Sequence, residues 1–293
     1  MQLFRSVTKS GAGGSRSSTA LLRAGNAPVD KLAGFGAQMI FYAKAFLWIR
    51  RTVVRYRKEV LRLIAEVSLG TGALAVIGGS VVVIGFLTAA AGYEVGQQGT
   101  KTLGNVGIAA LSGFVSAFIN TREAIPVIAG VALTATVGAG FTAQLGAMRV
   151  SEEIDALDAM SIPSLPYLVT TRIIAGFVAV IPLYAIALIM GYASTRIVTV
   201  WLAGESRGTY AHYFNVFLVP TDVLWSLLKV LVMSLVVMSV HCYHGYNASG
   251  GPAGVGVAVG RAVRTSLIAI MIVDLLIGIA VFGGPSANVR ISG

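Results

Sequence analysis

The chain has 293 residues, 56% hydrophobic and 12% charged, with a mean hydropathy of +0.80 and 35 glycines. Soluble domains carry about 25% charged residues, so this composition excludes an ordinary soluble domain and points to helices packed closely in lipid. The net charge of +10 would suit nucleic acid in a soluble protein, but twelve of the 22 Lys and Arg precede residue 63, a one-ended cluster that the positive-inside rule places in the cytoplasm, facing anionic lipid headgroups and no nucleic acid.

Residues 1–30 are rich in Ser, Gly and Arg, with no acid before Asp30. They read as a disordered cytoplasmic tail or as a transit-type leader, without the long apolar run of a secretory signal. From 35 to 64, Phe35, Met39, Tyr42, Phe46, Ile49, Val53, Tyr56, Val60 and Leu63 recur at steps of four and three. That spacing predicts one helical stripe. Arg50, Arg51, Arg55, Arg57, Lys58 and Arg62 fill the other faces, and Trp48 lies near the middle. A basic amphipathic helix lying in the membrane interface follows; a cytosolic helix packed on a partner is the alternative.

The first span is expected at 69–92, uncharged and long enough for the roughly 30 Å hydrocarbon core. A short Gly-rich stretch, 103–119, reads as a re-entrant or broken half-helix on the outer side. A span at 124–148 follows, with Gly130, Gly138, Gly140 and Gly146 for close packing. Next comes the acidic segment 151–160, with Ser151 as a plausible N-cap and Glu152 and Glu153 in the first turn. Ile154, Leu157 and Met160 are its apolar side, Asp155 and Asp158 its remaining acids, and Pro163 and Pro166 stop it. A long span at 168–200, interrupted by Pro182, a polar loop at 203–222, a span at 223–243, a Gly-rich loop at 244–256 and a last span at 262–283 complete the chain.

The predicted fold class is therefore all-α: a polytopic membrane protein with an N-terminal interfacial amphipathic helix, about five transmembrane helices and a short re-entrant or broken helix. With the N-terminus cytoplasmic, segments 149–167 and 244–261 face the cytoplasm and the C-terminus is extracytoplasmic. Arg149, Arg172, Arg261 and Arg264 at the inside ends agree with this orientation.

Two glycine patterns imitate nucleotide sites. Gly96-Gln97-Gln98-Gly99-Thr100-Lys101-Thr102 lacks the spacing of a phosphate loop, and Gly254, Gly256 and Gly260 have the wrong last step and no preceding strand. Both read as loop or packing glycines, so ATP-driven work needs another subunit. His241, Cys242 and His244 invite a metal, but with three candidates and no nearby acid they read as an interfacial aromatic and His belt, with no metal site. Cys242 is the single cysteine, so no internal disulfide forms. No Ser/His/Asp arrangement is present that would make the chain an enzyme.

Charges inside spans are costly in lipid and therefore informative. Lys229 and Asp274 fall at similar depth on antiparallel neighbours and predict an intramembrane ion pair. Arg122 and Glu123, just before Pro126, open two readings: an anionic-headgroup contact at the outer mouth of a lipid cavity, or a helix cap paired with neighbours.

Three stretches resemble one family. They are Thr121 to Pro126 with Ala143 to Arg149; Ser151 to Met160 with Leu168, Val169 and Arg172; and Gly245-Tyr246-Asn247 with Gly254, Gly256 and Ile272-Val273-Asp274. Together with Lys229 they resemble the MlaE/YrbE permeases of MCE-type lipid ABC transporters, over about 70 to 284. The basic N-terminus and length look most like the B-type YrbE subunit of actinobacterial MCE systems. Pro163-Ser164 and Thr171 stand where the family usually carries an Asp-Pro pair and a proline.

The resemblance implies a chain organised as a basic tail (1–34), an interfacial helix (35–66), an MlaE/YrbE-like permease domain (67–284) and a short extracytoplasmic tail (285–293), in the cell inner (plasma) membrane. It implies a non-catalytic permease subunit of an ATP-driven lipid or fatty-acid transporter, importing, paired as a heterodimer with a second YrbE-type permease. A cytoplasmic ABC ATPase dimer would bind ATP and Mg, with no cofactor in this chain, and MCE proteins would sit outside. Glu152, Glu153, Ile154, Asp155, Leu157, Asp158 and Met160 would then form the coupling helix; an ordinary solvated loop helix is the plain alternative. A stand-alone secondary transporter of a hydrophobic substrate also fits broken helices and intramembrane charges, but no internal repeat supports it. A quinone or redox subunit would need paired span histidines that are absent.

Overall fold

A computed structural model describes residues 33–68, 74–105 and 108–283, with side chains over 33–67, 81–105 and 108–283. The chain divides into a short unit, Met1–Lys44, and a main unit, Ala45–Gly293. Among the described residues every regular element is helical. Helix α1 covers 33–47, α2 Ile49–Arg55, α3 Arg57–Ser68, α4 Leu74–Asn105, and α5 Ala109–Val150. Helix α6 is Glu153–Ala159, α7 Leu165–Leu202, α8 Arg207–Phe217, α9 Pro220–Tyr246 and α10 Gly251–Phe282.

Four of these, α5, α7, α9 and α10, are long and apolar enough to cross a membrane. The expected first span, 69–92, starts outside the described residues and continues in α4. Of the predicted tails 1–34 and 285–293, residues 1–32 and 285–293 also lie outside them, while residues 33 and 34 already belong to α1. In lipid a backbone must satisfy its own hydrogen bonds, and helices do this within one segment. That constraint explains why apolar composition and an all-helical chain occur together.

Several boundaries differ from the sequence reading. The stripe at 35–64 is not one helix: it breaks at Trp48 and Tyr56. Its later part turns inward, with Val60 and Leu63 buried against the bundle while Phe46 and Val53 stay exposed. The stretches 103–119 and 124–148 are not separate elements. The first closes α4 at Asn105 and then opens α5, which runs on to Val150. Wide π-type turns at Ser116–Ala124 occupy the expected gap. Pro182 does not interrupt α7, which stays α-helical from Thr171 to Ile197. The polar loop 203–222 contains α8, and the Gly-rich loop shrinks to 247–250.

Helix α4 lies along α7, α3 packs on α7, and α9 packs on α5, α7 and α10. Small residues set the closest approach. A Cβ on Gly92 would stand 2.3 Å from the Gly191 carbonyl oxygen, so α4 and α7 touch backbone to backbone. There Thr195 Oγ1 donates to the Gly92 carbonyl at 2.8 Å, and Ser194 Oγ to that of Ala89 at 2.6 Å. Such contacts replace the hydrophobic drive that is weak between helices in lipid. The core of the main unit includes Ile84, Ile125, Leu133, Leu145, Ile173, Met233, Met238 and Ile270, and Lys229 is buried among them.

Candidate functional site

The first site grows from α5, α9 and α10. Helix α9 starts at Pro220, whose fixed φ suits a first turn. It carries Asp222 at its mouth and Lys229 about two turns deeper. Helix α10 runs alongside α9 and brings Asp274 to the same level. The wide turns of α5 present Arg122 and Glu123 to both; such turns recur at functional sites because they redirect side chains.

Lys229 Nζ is 2.7 Å from Asp274 Oδ1 and 3.2 Å from Glu123 Oε2. It donates to Glu123 and, at 2.9 Å, to the Arg122 carbonyl. The contact with Asp274 is an ion pair at 2.7 Å. The Lys229 side chain is 0% exposed and that of Glu123 is 53% exposed. The cluster therefore has a buried base and an open carboxylate.

Arg122 turns the other way. Its guanidinium lies 2.6 Å from Asp222 Oδ2, and it stands over the rings of Phe118 at 4.1 Å and Phe282 at 4.5 Å. An arginine held by a carboxylate and two rings is committed to protein partners. Of the two cavity candidates only Glu123 remains open. Asp222 went unremarked in the sequence because a carboxylate in a first helical turn is an ordinary feature; only the fold brings it to Arg122.

The second site is the short helix α6. Going 27 residues from Glu123 to Val150 along α5 spans about 40 Å, so the two sites are well separated along that helix. Ser151 is not the N-cap. Its hydroxyl bonds the Ala147 carbonyl at 3.1 Å and Glu153 Oε1 at 2.9 Å, which closes α5. Glu152, in left-handed backbone at φ 62°, makes the corner. The helix ends with Ser161 at φ 58°: the Ser161 and Ile162 amides bond the Asp158 and Leu157 carbonyls, each at 3.0 Å. This is a Schellman ending with serine where glycine is usual.

Ile154 is fully buried and Leu157 half-buried, while Met160 is exposed and leaves the apolar side assigned to it. Asp155 pairs with Arg149 at 2.6 Å. Asp158 Oδ1 accepts the Ser164 amide at 3.2 Å, and Ser164 Oγ lies 2.8 Å from Tyr246 Oη at the end of α9. Glu152 and Glu153 stay exposed. The acidic helix is thus tied to α5, to the start of α7 and to the end of α9.

Residues 70–280 match the family model described as Permease MlaE. The chain belongs to the MlaE permease family. It is 36% identical over 157 residues to a probable ABC transporter permease protein of Rickettsia bellii, covering 54% of this chain and 61% of that one. It is 32% identical over 164 residues to such a protein of Synechocystis, covering 56% and 62%. It is 30% identical over 178 residues to the protein trigalactosyldiacylglycerol 1, chloroplastic, of Arabidopsis thaliana, covering 61% and 51%. The match therefore spans less than two thirds of these relatives' lengths.

The remaining motifs of this MlaE-family chain find structural places. His241 and Cys242 are buried in α9 and do not form an interfacial belt. His241 Nδ1 is 2.7 Å from Thr142 Oγ1, and a Cβ at Gly138 would collide with the imidazole. Gly96 and Gly99 face Val198 and Val115, which makes them packing glycines within α4. A polar network went unread. Asn120 Nδ2 donates to Thr195 Oγ1 at 2.8 Å, and Tyr210 Oη to Ser116 Oγ at 2.8 Å, which locks α8 to α5. Burial raises the Tyr210 phenol above its ordinary pKa. Isolated Ser, Thr and Asn carry no spacing signal, so these contacts were invisible in the sequence.

Proposed function

We propose that this chain is the membrane-spanning, non-catalytic permease subunit of an ATP-driven transporter for a lipid or fatty-acid substrate, of the MCE type and importing, most like a B-type YrbE subunit. The observation that carries the reading is Glu123: a carboxylate 53% exposed on a buried Lys229 and Asp274. In lipid a half-exposed carboxylate is costly and belongs against a polar cavity or a partner. A transporter of amphiphiles needs such a polar point on an otherwise apolar wall. The Arabidopsis relative, named for a galactolipid, supports a lipid class of substrate.

On this reading α6 is the coupling helix. A partner ATPase dimer binds ATP and Mg and presses on Glu152, Glu153 and the exposed Met160. Ile154 and the ties through Arg149, Ser164 and Tyr246 pass that movement into three long helices. A second permease pairs with this one in the plasma membrane, and MCE proteins receive or deliver substrate on the outer side. The N-terminus lies in the cytoplasm and the C-terminus outside. Helix α10 has an open apolar face, with only 17% of its most apolar stretch buried, which suits lipid or a sister subunit.

The test is purification of tagged full-length protein from its native membrane in mild detergent, with the co-purifying chains identified and counted. Recovery of an ATPase, a second permease and MCE-type proteins is the expected result. A protein recovered alone, under conditions that preserve a known ABC complex, would remove the coupling role and bring forward a stand-alone secondary transporter.

A further inference from the structure

We propose that the cleft between α2 and the loop leaving α6 binds the phosphate group of an anionic phospholipid in the adjoining leaflet. The cleft has a volume of about 180 Å³, and Trp48, Arg51, Arg55, Tyr56, Ser161 and Pro163 are among its walls. Arg51 and Arg55 stand one helical turn apart, so both guanidinium groups serve one face. Arg51 lies over the Trp48 ring at 5.0 Å. Among the described residues neither arginine has a carboxylate partner, whereas Arg62, Arg122 and Arg149 each pair with one. Two uncompensated guanidinium groups on one small cavity repel each other, and an anion between them removes that cost. Phosphate matches the arginine fork, which can bind it through two parallel hydrogen bonds.

The surroundings select a lipid as the source of that phosphate. Leu47 and Val54 lie one turn to either side of Arg51 and are 82% and 75% exposed. Acyl chains cover such residues when the headgroup sits between them. Trp48 and Tyr56 are the residue types that settle at headgroup depth. Tyr56 is also fixed, edge-on to Tyr167 at 5.3 Å. The opposite wall is Ser161, the left-handed residue that ends α6. A headgroup in the cleft therefore bridges the interfacial helix and the acidic helix, and it makes the latter's position sensitive to anionic lipid. This last consequence rests on the coupling role proposed above. The binding itself does not, because lipid capture in detergent solution requires neither a partner nor a particular orientation.

The test offers purified full-length protein phosphatidylglycerol or phosphatidylcholine and counts bound lipid by native mass spectrometry. Wild type is expected to prefer phosphatidylglycerol. R51A/R55A should weaken its binding roughly tenfold or more. R50A/K58A, which removes the same charge outside the cleft, should bind as wild type, and R51K/R55K should recover part of the affinity. All of these positions are exposed, so folding is preserved. Equal loss in both alanine pairs would indicate diffuse surface charge and overturn the site. Displacement of the lipid by inorganic phosphate alone would assign the cleft to free anions and overturn the lipid. Unchanged phosphatidylglycerol binding by R51A/R55A, with loss of a co-purifying ATPase, would overturn the proposal in favour of a protein partner.

Discussion

Lys229 Nζ and Asp274 Oδ1 lie 2.7 Å apart on antiparallel helices, with the lysine side chain fully buried. Glu123 and the Arg122 carbonyl complete the lysine's surroundings. One cation thus holds two carboxylates, one buried and one open. The two changes at this pair are therefore unequal. Lys229→Met leaves two carboxylates unpaired and should cost about 3–5 kcal/mol. Asp274→Asn leaves the lysine its bond to Glu123 and should cost about 1–3 kcal/mol. Thermal unfolding of the purified variants checks the order. In the double variant the costs should fall short of their sum, because the residues interact.

Glu123 and Arg122 are neighbours in sequence and opposites in structure. Glu123→Gln removes a half-exposed charge and should change stability by less than about 1 kcal/mol, while lowering lipid occupancy or transport. Arg122→Ala removes a carboxylate partner and two ring contacts, and should destabilise by about 2–4 kcal/mol. Unfolding measured beside bound-lipid content separates the two. A stable Arg122→Ala with lost lipid would reverse the assignment.

Ser161 ends α6 in left-handed backbone, where a side chain costs roughly 1 kcal/mol relative to glycine. Ser161→Gly should raise the unfolding temperature slightly, and Ser161→Val should lower it. If α6 transmits ATPase movement, Ser161→Val should also reduce ATP-driven transport more than it reduces ATP hydrolysis by the complex.

Gly92 meets the backbone of Gly191, so any Cβ there forces α4 away from α7. Gly92→Val should cost about 1–3 kcal/mol through overpacking. Gly140, with open space at its Cβ position, should accept alanine with little change. Comparing the two variants by thermal unfolding distinguishes close packing from a general intolerance of glycine replacement.

Much of the architecture could be read directly. Long apolar runs with few charges identified the spans near 124–148, 168–200, 223–243 and 262–283, because lipid admits little else at that length. The acidic, proline-bounded segment after Arg149 was legible as a short helix for a similar reason: its charges and stops are local signals. Depth alone made Lys229 and Asp274 candidates for each other, since Lys229 lies about nine residues from the start of α9 and Asp274 about eight from the end of α10, ends that adjoin in an antiparallel pair.

Other features depend on contacts between segments distant in the chain. Periodicity could not show that the stripe at 35–64 breaks at Trp48 and Tyr56, because a kinked and a straight helix share one spacing. It could not show that α8 forms at 207–217, where the polar composition reads as loop and the helix is held by Gly113 and Ser116 of α5. The pairing of Arg122 with Asp222, the openness of Glu123 and, among the described residues, the arginines without a carboxylate partner beside Ser161 likewise came only from assembly. Composition and spacing fix which residues must avoid or accept lipid, a property each segment holds alone. Which charge meets which, and which is left without a partner, depends on how the helices are placed against one another.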